Sequence, residues 1–253
     1  MECVVVAGGT PSARDGLAPY TCGRPKALLE IAGRPMIAWV LEALLGSRHI
    51  ERVVVVGLES AALPDRPATV EVLPDHGSMV GNIYAGIARF SGSGPAAFCW
   101  SDIPLIRAAM VDRFIETTEH PELDLNVGLI RRTTLQARYP DAEDLWLRLR
   151  EGQFIAADFG LFNPRRVERI RSPLEALEPL RKSATRSALY LGLPLVIRYL
   201  TRRLSMADLE RYLARRFGVH CGIHIVESPE LGLDVDGPRD LELCRRVLTD
   251  RSR

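Results

Sequence analysis

Several familiar signatures are missing from this sequence, and each absence removes a class of function. No Gly-x-x-x-x-Gly-Lys-Ser/Thr motif occurs, so there is no P-loop. No Gly-x-Gly-x-x-Gly follows an expected strand, which takes away the main support for a dinucleotide-binding fold. The Gly-x-Ser-x-Gly elbow of serine hydrolases is also missing. The five cysteines (Cys3, Cys22, Cys99, Cys221 and Cys244) are odd in number, scattered, and form no Cys-x-x-Cys pair. They argue against a disulfide framework and a zinc site, and they fit a reducing, cytoplasmic setting. The five histidines show no metal-ligand spacing, and His224, between Ile223 and Ile225, reads as structural. Charge of either sign is not in excess: 33 Lys and Arg against 32 Asp and Glu leave +1. No global basic field exists for nucleic acid, so anionic ligands must be held by local groups. The longest apolar patch, residues 188–200, is interrupted by Gly192, Pro194 and Arg198 and is too short to span a bilayer. The chain enters an apolar run at once, with no basic segment before it, so no signal peptide is expected.

What is present is an alternation of strand and helix. Apolar residues make up 47% and charged residues 26% of 253 residues, the balance of an ordinary globular chain. The runs Val4-Val5-Val6 and Val53-Val54-Val55-Val56 are continuously apolar. Such runs read as strands buried on both faces, as in parallel sheets. Strands are expected at 2–7, 53–57, 69–73 and 96–100, with helices from Pro35 to near Gly46 and at 78–90 and 105–118. This order predicts a three-layer, Rossmann-like α/β/α architecture around a mostly parallel sheet, with right-handed connections. Further on, strands are expected at 126–131, 154–162 and 220–226. Helices are expected at 142–150, at 173–200 with a break at Gly192 to Pro194, at 205–217, and from Pro238 onward. Ser205 and Asp208 resemble a capping box. With no linker, repeat or low-complexity segment, 1–253 reads as a single domain carrying a helical elaboration at about 164–217.

The residues that could carry chemistry lie at expected strand ends. Ala7-Gly8-Gly9 closes the first strand, where a ligand can lie on bare backbone. Asp102 follows the strand at 96–100; as a lone residue it suits a metal ligand and a helix N-cap equally. Asp234 and Asp236 are spaced by two and would face one side of an extended segment. Ser78 and Asn82 either read a base edge or simply cap and support their helix. Arg131, Arg132, Arg138, Arg181 and Lys182 are candidates for an anionic second substrate. Trp146 and the helical region suit a homodimer interface as well as a core.

Taken together, Ala7-Gly8-Gly9, Pro25-Lys26-Ala27-Leu28-Leu29 and Gly33-Arg34-Pro35-Met36-Ile37 resemble the N-terminal half of the MobA-like NTP transferases, nucleotidyltransferases of GT-A-type fold. Asp102-Ile-Pro-Leu resembles the family's metal-binding segment. Asp234-Val-Asp236-Gly-Pro-Arg-Asp240-Leu resembles its C-terminal acidic segment, with Gly237 where the family carries threonine. The resemblance implies a Mg²⁺-dependent transfer of NMP from an NTP, CTP or GTP before the others, to a phosphorylated or otherwise anionic small molecule, with pyrophosphate leaving. It implies that Ala7, Gly8, Gly9, Arg14 and Lys26 surround the triphosphate, and that Gly77, Ser78 and Asn82 lie near base and ribose. Asp102 and Asp236, with Asp234, would hold the metal, and Lys26 and Asp102 would be catalytic. The family's Gly-Gly-x-x-x-Arg-Met-Gly is only approximated here, since Arg14 is followed by Asp15-Gly16. Two alternatives stand beside this reading: a nucleotide-sugar-dependent glycosyltransferase of related fold, and a non-catalytic nucleotide-binding relative.

Overall fold

The structure is a computed structural model and describes residues 1–12, 15–142, 145–180, 186 and 190–251. Its centre is a sheet in the order β10-β7-β9-β6-β1-β4-β5, with β8 paired to the outer part of β9. The strands are β1 (Glu2–Val6), β4 (Arg52–Val56), β5 (Val70–Leu73), β6 (Ala96–Trp100), β7 (Leu125–Arg131), β8 (Leu147–Leu149), β9 (Gly152–Phe162) and β10 (Cys221–Val226). A separate two-stranded ribbon joins β2 (Glu30–Ile31) to β3 (Arg34–Pro35), which the sequence reading did not anticipate. Neighbours β6, β1, β4 and β5 run parallel, as do β10 and β7; the long β9 is antiparallel to β6, β7 and β8.

The central strands are β-branched because both their faces are covered. Cys3, Val5, Val53 and Val55 face one core with α2 (Met36–Leu45), α4 (Ala108–Thr117) and the C-terminal helix α9 (Pro238–Arg251). Val4, Val54 and Val56 face the other, with Tyr84 and Ile87 of α3 (Met79–Ile87). Alternate side chains thus point to opposite layers, as strand geometry demands. The three-layer α/β/α reading holds. No helix among the described residues is long and apolar enough to cross a membrane.

Two local expectations need correction. Residues 10–23, whose prolines, glycines and small polar residues read as a loop in sequence, contain a short helix, α1 (Ala18–Thr21). The described residues of 142–150, where a helix was expected, form none. Leu147 to Leu149 instead form β8, a hairpin strand whose Leu147 and Leu149 register on Phe154 and Gly152 of β9. A Leu-x-Leu segment fits either periodicity, and pairing across the turn at Gly152, where φ is +142°, decides it. The helix lies earlier, as α5 (Arg132–Arg138), anchored by buried Leu135.

The elaboration begins with α6 (Glu168–Leu177), which continues through Pro173 into a single 3₁₀ turn, Glu178–Leu180. It resumes with α7 (Leu193–Leu200) and α8 (Met206–Phe217). Part of the helix expected at 173–200, including Arg181 and Lys182, lies outside the described residues. At α8 the capping box is complete: Ser205 Oγ accepts from Asp208 N at 3.1 Å, and Asp208 Oδ2 accepts from Ser205 N at 3.2 Å. Hydrogen bonds from Arg211, then from Ser205, hold the Asp208 carboxyl down at about 2. A depressed carboxyl stabilises the fold above its unfolded value and loses that contribution as pH falls through its folded value. The cap should therefore fail between about pH 4 and pH 2. Ser205→Ala should cost about 1 kcal/mol at neutral pH, read by urea denaturation.

Candidate active site

Three parallel strands end at one edge of the sheet and present the site. Val6 registers with Val56 on one side and Trp100 on the other. The ladder runs one residue further, with Ala7 N donating to Val56 O at 2.8 Å and Ser101 N to Val6 O at 3.2 Å. The loops after these strands carry Gly8 and Gly9, Gly57, and Asp102, so their placement follows from the strand register. They floor a cleft of about 740 Å³, whose walls include Lys26, Asp75, Gly77, Glu178 and Asp236. That volume suits a nucleotide-sized ligand.

The two glycines differ in role. A side chain on Gly8 would meet Asn82 Nδ2 at 2.5 Å, so its bareness serves the packing of α3. Gly9 has φ +110° and open space where a Cβ would stand, so its exposed backbone is the part turned toward a ligand. Beneath them Gly57, at φ +109°, packs its backbone on Gly8; a Cβ there would lie 2.2 Å from Gly8 N. Gly57→Ala combines left-handed strain with a backbone clash. It should cost about 2 kcal/mol or more, a fall in Tm of roughly 4–8 °C, and should distort the glycine loop. Differential scanning calorimetry reads the first effect.

Lys26 opens a 3₁₀ turn, Lys26–Leu28, and its backbone N donates to Gly9 O at 3.1 Å. The lysine and the glycine loop are therefore fixed to each other. Its ammonium reaches Asp102 Oδ2 at 2.8 Å and Asp236 Oδ1 at 2.6 Å. Burial disfavours the charged lysine, yet Asp102 and then Asp236 outweigh that and hold the ammonium above its usual range. Asp102 Oδ1 is buried and has no hydrogen-bond partner among the described residues.

The C-terminal segment is pinned to this loop through its backbone, with Val235 N donating to Asp102 O at 2.9 Å. Val235 is itself fully buried. Its neighbours Asp234 and Asp236 are thereby brought to one place: one ligand atom from each of Asp102, Asp234 and Asp236 lies within 4.8 Å of the others. The cap of α9 is made by Asp240, whose Oδ2 accepts from Gly237 N at 2.7 Å and Asp236 N at 3.1 Å. Capping is thus done by Asp240 rather than by Asp236, and the Asp236 carboxylate is left to the cluster.

Other expected contacts are partly committed elsewhere. Ser78 lines the cleft, but its Oγ caps α3 by accepting from Gly81 N at 2.9 Å. Asn82 is buried, accepts from His76 N at 2.7 Å and donates to Asp75 Oδ1 at 2.9 Å. Both side chains thus support α3 and its loop, and both also line the cleft. Gly77 stands at the cleft with φ +81° and open space beside it. Arg14 lies outside the described residues. Arg131, Arg132 and Arg138 are not part of the cleft: Arg131 bonds Glu151 O, Arg132 bonds Gln136 and Gln153, and Arg138 borders a different cavity. Trp146 packs against the main core beneath Arg132. His224 sits against Phe114 at a ring separation of 4.7 Å, as a structural residue would.

Sequence reasoning missed Gly57, Asp75 and Glu178. Gly57 had a signal, a glycine closing a run of four valines. Asp75 holds the loop of Gly77. Glu178 arrives from the elaboration and accepts from Met79 N at the start of α3 at 2.6 Å, which no local pattern announces.

A sheet with helices on both faces, a glycine loop at its carboxyl edge, and a lysine set among carboxylates define a nucleotide-handling α/β protein. The sequence model of the MobA-like NTP transferase domain matches residues 3–137. The chain belongs to the MobA-like NTP transferase domain family, and its class is that of the nucleotidyltransferases. No curated protein matches it in sequence. Among solved structures, a hypothetical transferase from Thermus thermophilus is 29% identical, with a TM-score of 0.83 over 95% of this chain and 98% of that one. A CMP:2-keto-3-deoxy-manno-octonic acid synthetase in complex with CTP is 16% identical, with a TM-score of 0.64 over 99% of each chain. A 2-C-methyl-D-erythritol 4-phosphate cytidylyltransferase, also from Thermus thermophilus, is 16% identical, with a TM-score of 0.56 over 98% of this chain and all of that one. The last two share the fold. The family match places the chain with NTP transferases rather than with the glycosyltransferases of related fold.

Proposed function

We propose that this protein transfers NMP from an NTP to a phosphorylated or otherwise anionic small molecule, releasing pyrophosphate, with Mg²⁺ held by Asp102, Asp234 and Asp236. The observation that carries the reading is the meeting of Lys26, Asp102 and Asp236 at the glycine loop. The donor set fits a hard cation: carboxylate oxygens only, one of them buried and unpartnered. The charge of the cleft supports the same conclusion. Asp15, Asp75, Asp102, Glu178 and Asp236 line it, against Lys26 as the cationic side chain among the described lining residues. A triphosphate entering alone would be repelled.

A bound Mg²⁺ would neutralise phosphate oxygens and orient the triphosphate. The protein's own part is positioning and electrostatics, which carry most of phosphoryl-type chemistry. The exposed backbone at Gly9 seats phosphate oxygens. Lys26 supplies positive charge where negative charge grows, on the transferred phosphoryl group and the departing pyrophosphate. The attacking group is the acceptor's own anion, so no general base is required. CTP is the first nucleotide to test, because two relatives of this fold are described as a CTP complex and a cytidylyltransferase; GTP is the second. Five free thiols agree with a reducing, cytoplasmic setting.

The test is a thermal-shift panel of ATP, CTP, GTP, UTP and dTTP, with and without Mg²⁺. Pyrophosphate release is then followed across anionic acceptors. A nucleotide at a hundredfold its Kd should add about 2.7 kcal/mol, roughly 5–10 °C for a chain of this size, in a shift that grows with Mg²⁺. No Mg²⁺-dependent shift with any triphosphate would sink the proposal.

A further inference from the structure

A second cavity, of about 500 Å³, lies at the far end of α9. Arg107, Arg138, Arg246 and Arg251 border it, together with Asp141 and Asp250. The four arginines come from three places in the chain: Arg107 just before α4, Arg138 at the last turn of α5, and Arg246 and Arg251 on α9. Several arginines elsewhere are paired with carboxylates: Arg48 with Asp112, Arg52 with Glu2 and Glu71, Arg211 with Asp208. Among the described residues, none of these four guanidiniums forms an ion pair with a carboxylate, although two carboxylates border the same cavity.

We propose that this cavity is a second, non-catalytic site for a small molecule bearing a multiply charged phosphate group. Guanidinium suits it because its planar fork matches phosphate oxygens bidentately. Arg251 is already seated, its Nη1 donating to Leu105 O at 3.3 Å. Burial, and then the positive charge of Arg107, press the Arg251 guanidinium below its usual value; Tyr139 and Glu230 offset this in part, Arg138 adds to it, and an anion between the arginines would relieve the repulsion. The cavity is not an extension of the cleft. Along the helix axis Arg246 and Arg251 stand about 12 and 20 Å from Pro238, beside which Asp236 lies. No residue among those described lines both cavities. The inference does not depend on the activity proposed above.

The test uses inorganic pyrophosphate as the probe, in EDTA, on wild type, Asp102→Asn, Arg246→Ala/Arg251→Ala and Arg138→Gln. Calorimetric titration reads affinity and a thermal melt confirms that each variant folds. Wild type and Asp102→Asn should bind pyrophosphate alike without metal. The double variant should bind at least about tenfold more weakly, as should Arg138→Gln on a different element. Sulfate at equal ionic strength should bind more weakly than pyrophosphate. Absence of metal-free binding, undiminished binding in both arginine variants, or an equal response to sulfate would each overturn the proposal. Should the double variant fail to fold, Arg138→Gln alone decides between these outcomes.

Discussion

Asp102→Asn is expected to lower kcat/KM by about 10³-fold while leaving the fold intact. The side chain keeps its shape, and the backbone carbonyl still receives the Val235 N–H that pins the C-terminal segment. Lys26 keeps its partner Asp236. What is lost is a carboxylate that would meet the cation from inside the protein, since Asp102 is the more buried of the two acids that pair with Lys26. A metal acting on phosphate oxygens supplies several kcal/mol of transition-state stabilisation, and each 1.36 kcal/mol is a factor of ten. The Mg²⁺ dependence of the nucleotide-induced thermal shift should vanish with the activity. A variant that melts normally and turns over at the wild-type rate would remove Asp102 from the site.

Lys26→Ala is expected to act differently. Its loss should appear mostly in kcat, by about 10²–10³-fold, because the charge it offsets grows in the transition state. The glycine loop should survive, since the bond to Gly9 O comes from the backbone of residue 26. Removing the ammonium leaves Asp102 and Asp236 without their counter-charge, so divalent-cation affinity should rise even as turnover falls. Manganese titration followed by electron paramagnetic resonance reads that affinity apart from catalysis. The neighbouring carboxylates hold the Lys26 ammonium above its usual range against the effect of burial. A group with a raised folded value contributes its stability in full below the unfolded value and loses it only as pH rises through the folded one. The variant's deficit should thus be flat between about pH 6 and 9. A deficit that closes toward pH 9 would assign the wrong ionisation to Lys26.

The parallel core was legible in the sequence because strands buried on both faces leave a continuous record, as in residues 53–56. The capping box at Ser205 was legible because its partner is three residues away. Leu147 to Leu149 were not, since their state depends on Phe154 and Gly152 across a hairpin. The candidate site divides in the same way. Gly8, Gly9 and Lys26 were marked by a local motif. Nothing in the spacing of residues 26, 102 and 236 says that they meet; that follows from strand order and from the Val235 bond to Asp102. Ser78 and Asn82 support α3 through near neighbours, Gly81 and Asp75, and the fold also places both in the lining of the cleft. Glu178 entered the cleft from a region with no motif.

The most direct test of the central claim is a crystal structure with Mn²⁺ and a non-hydrolysable CTP analogue, read at the manganese edge. An anomalous peak is expected among Asp102, Asp234 and Asp236, with the triphosphate over Gly9 and beside Lys26. A triphosphate lodged elsewhere, the arginine cavity included, or manganese absent from the three aspartates, would contradict it.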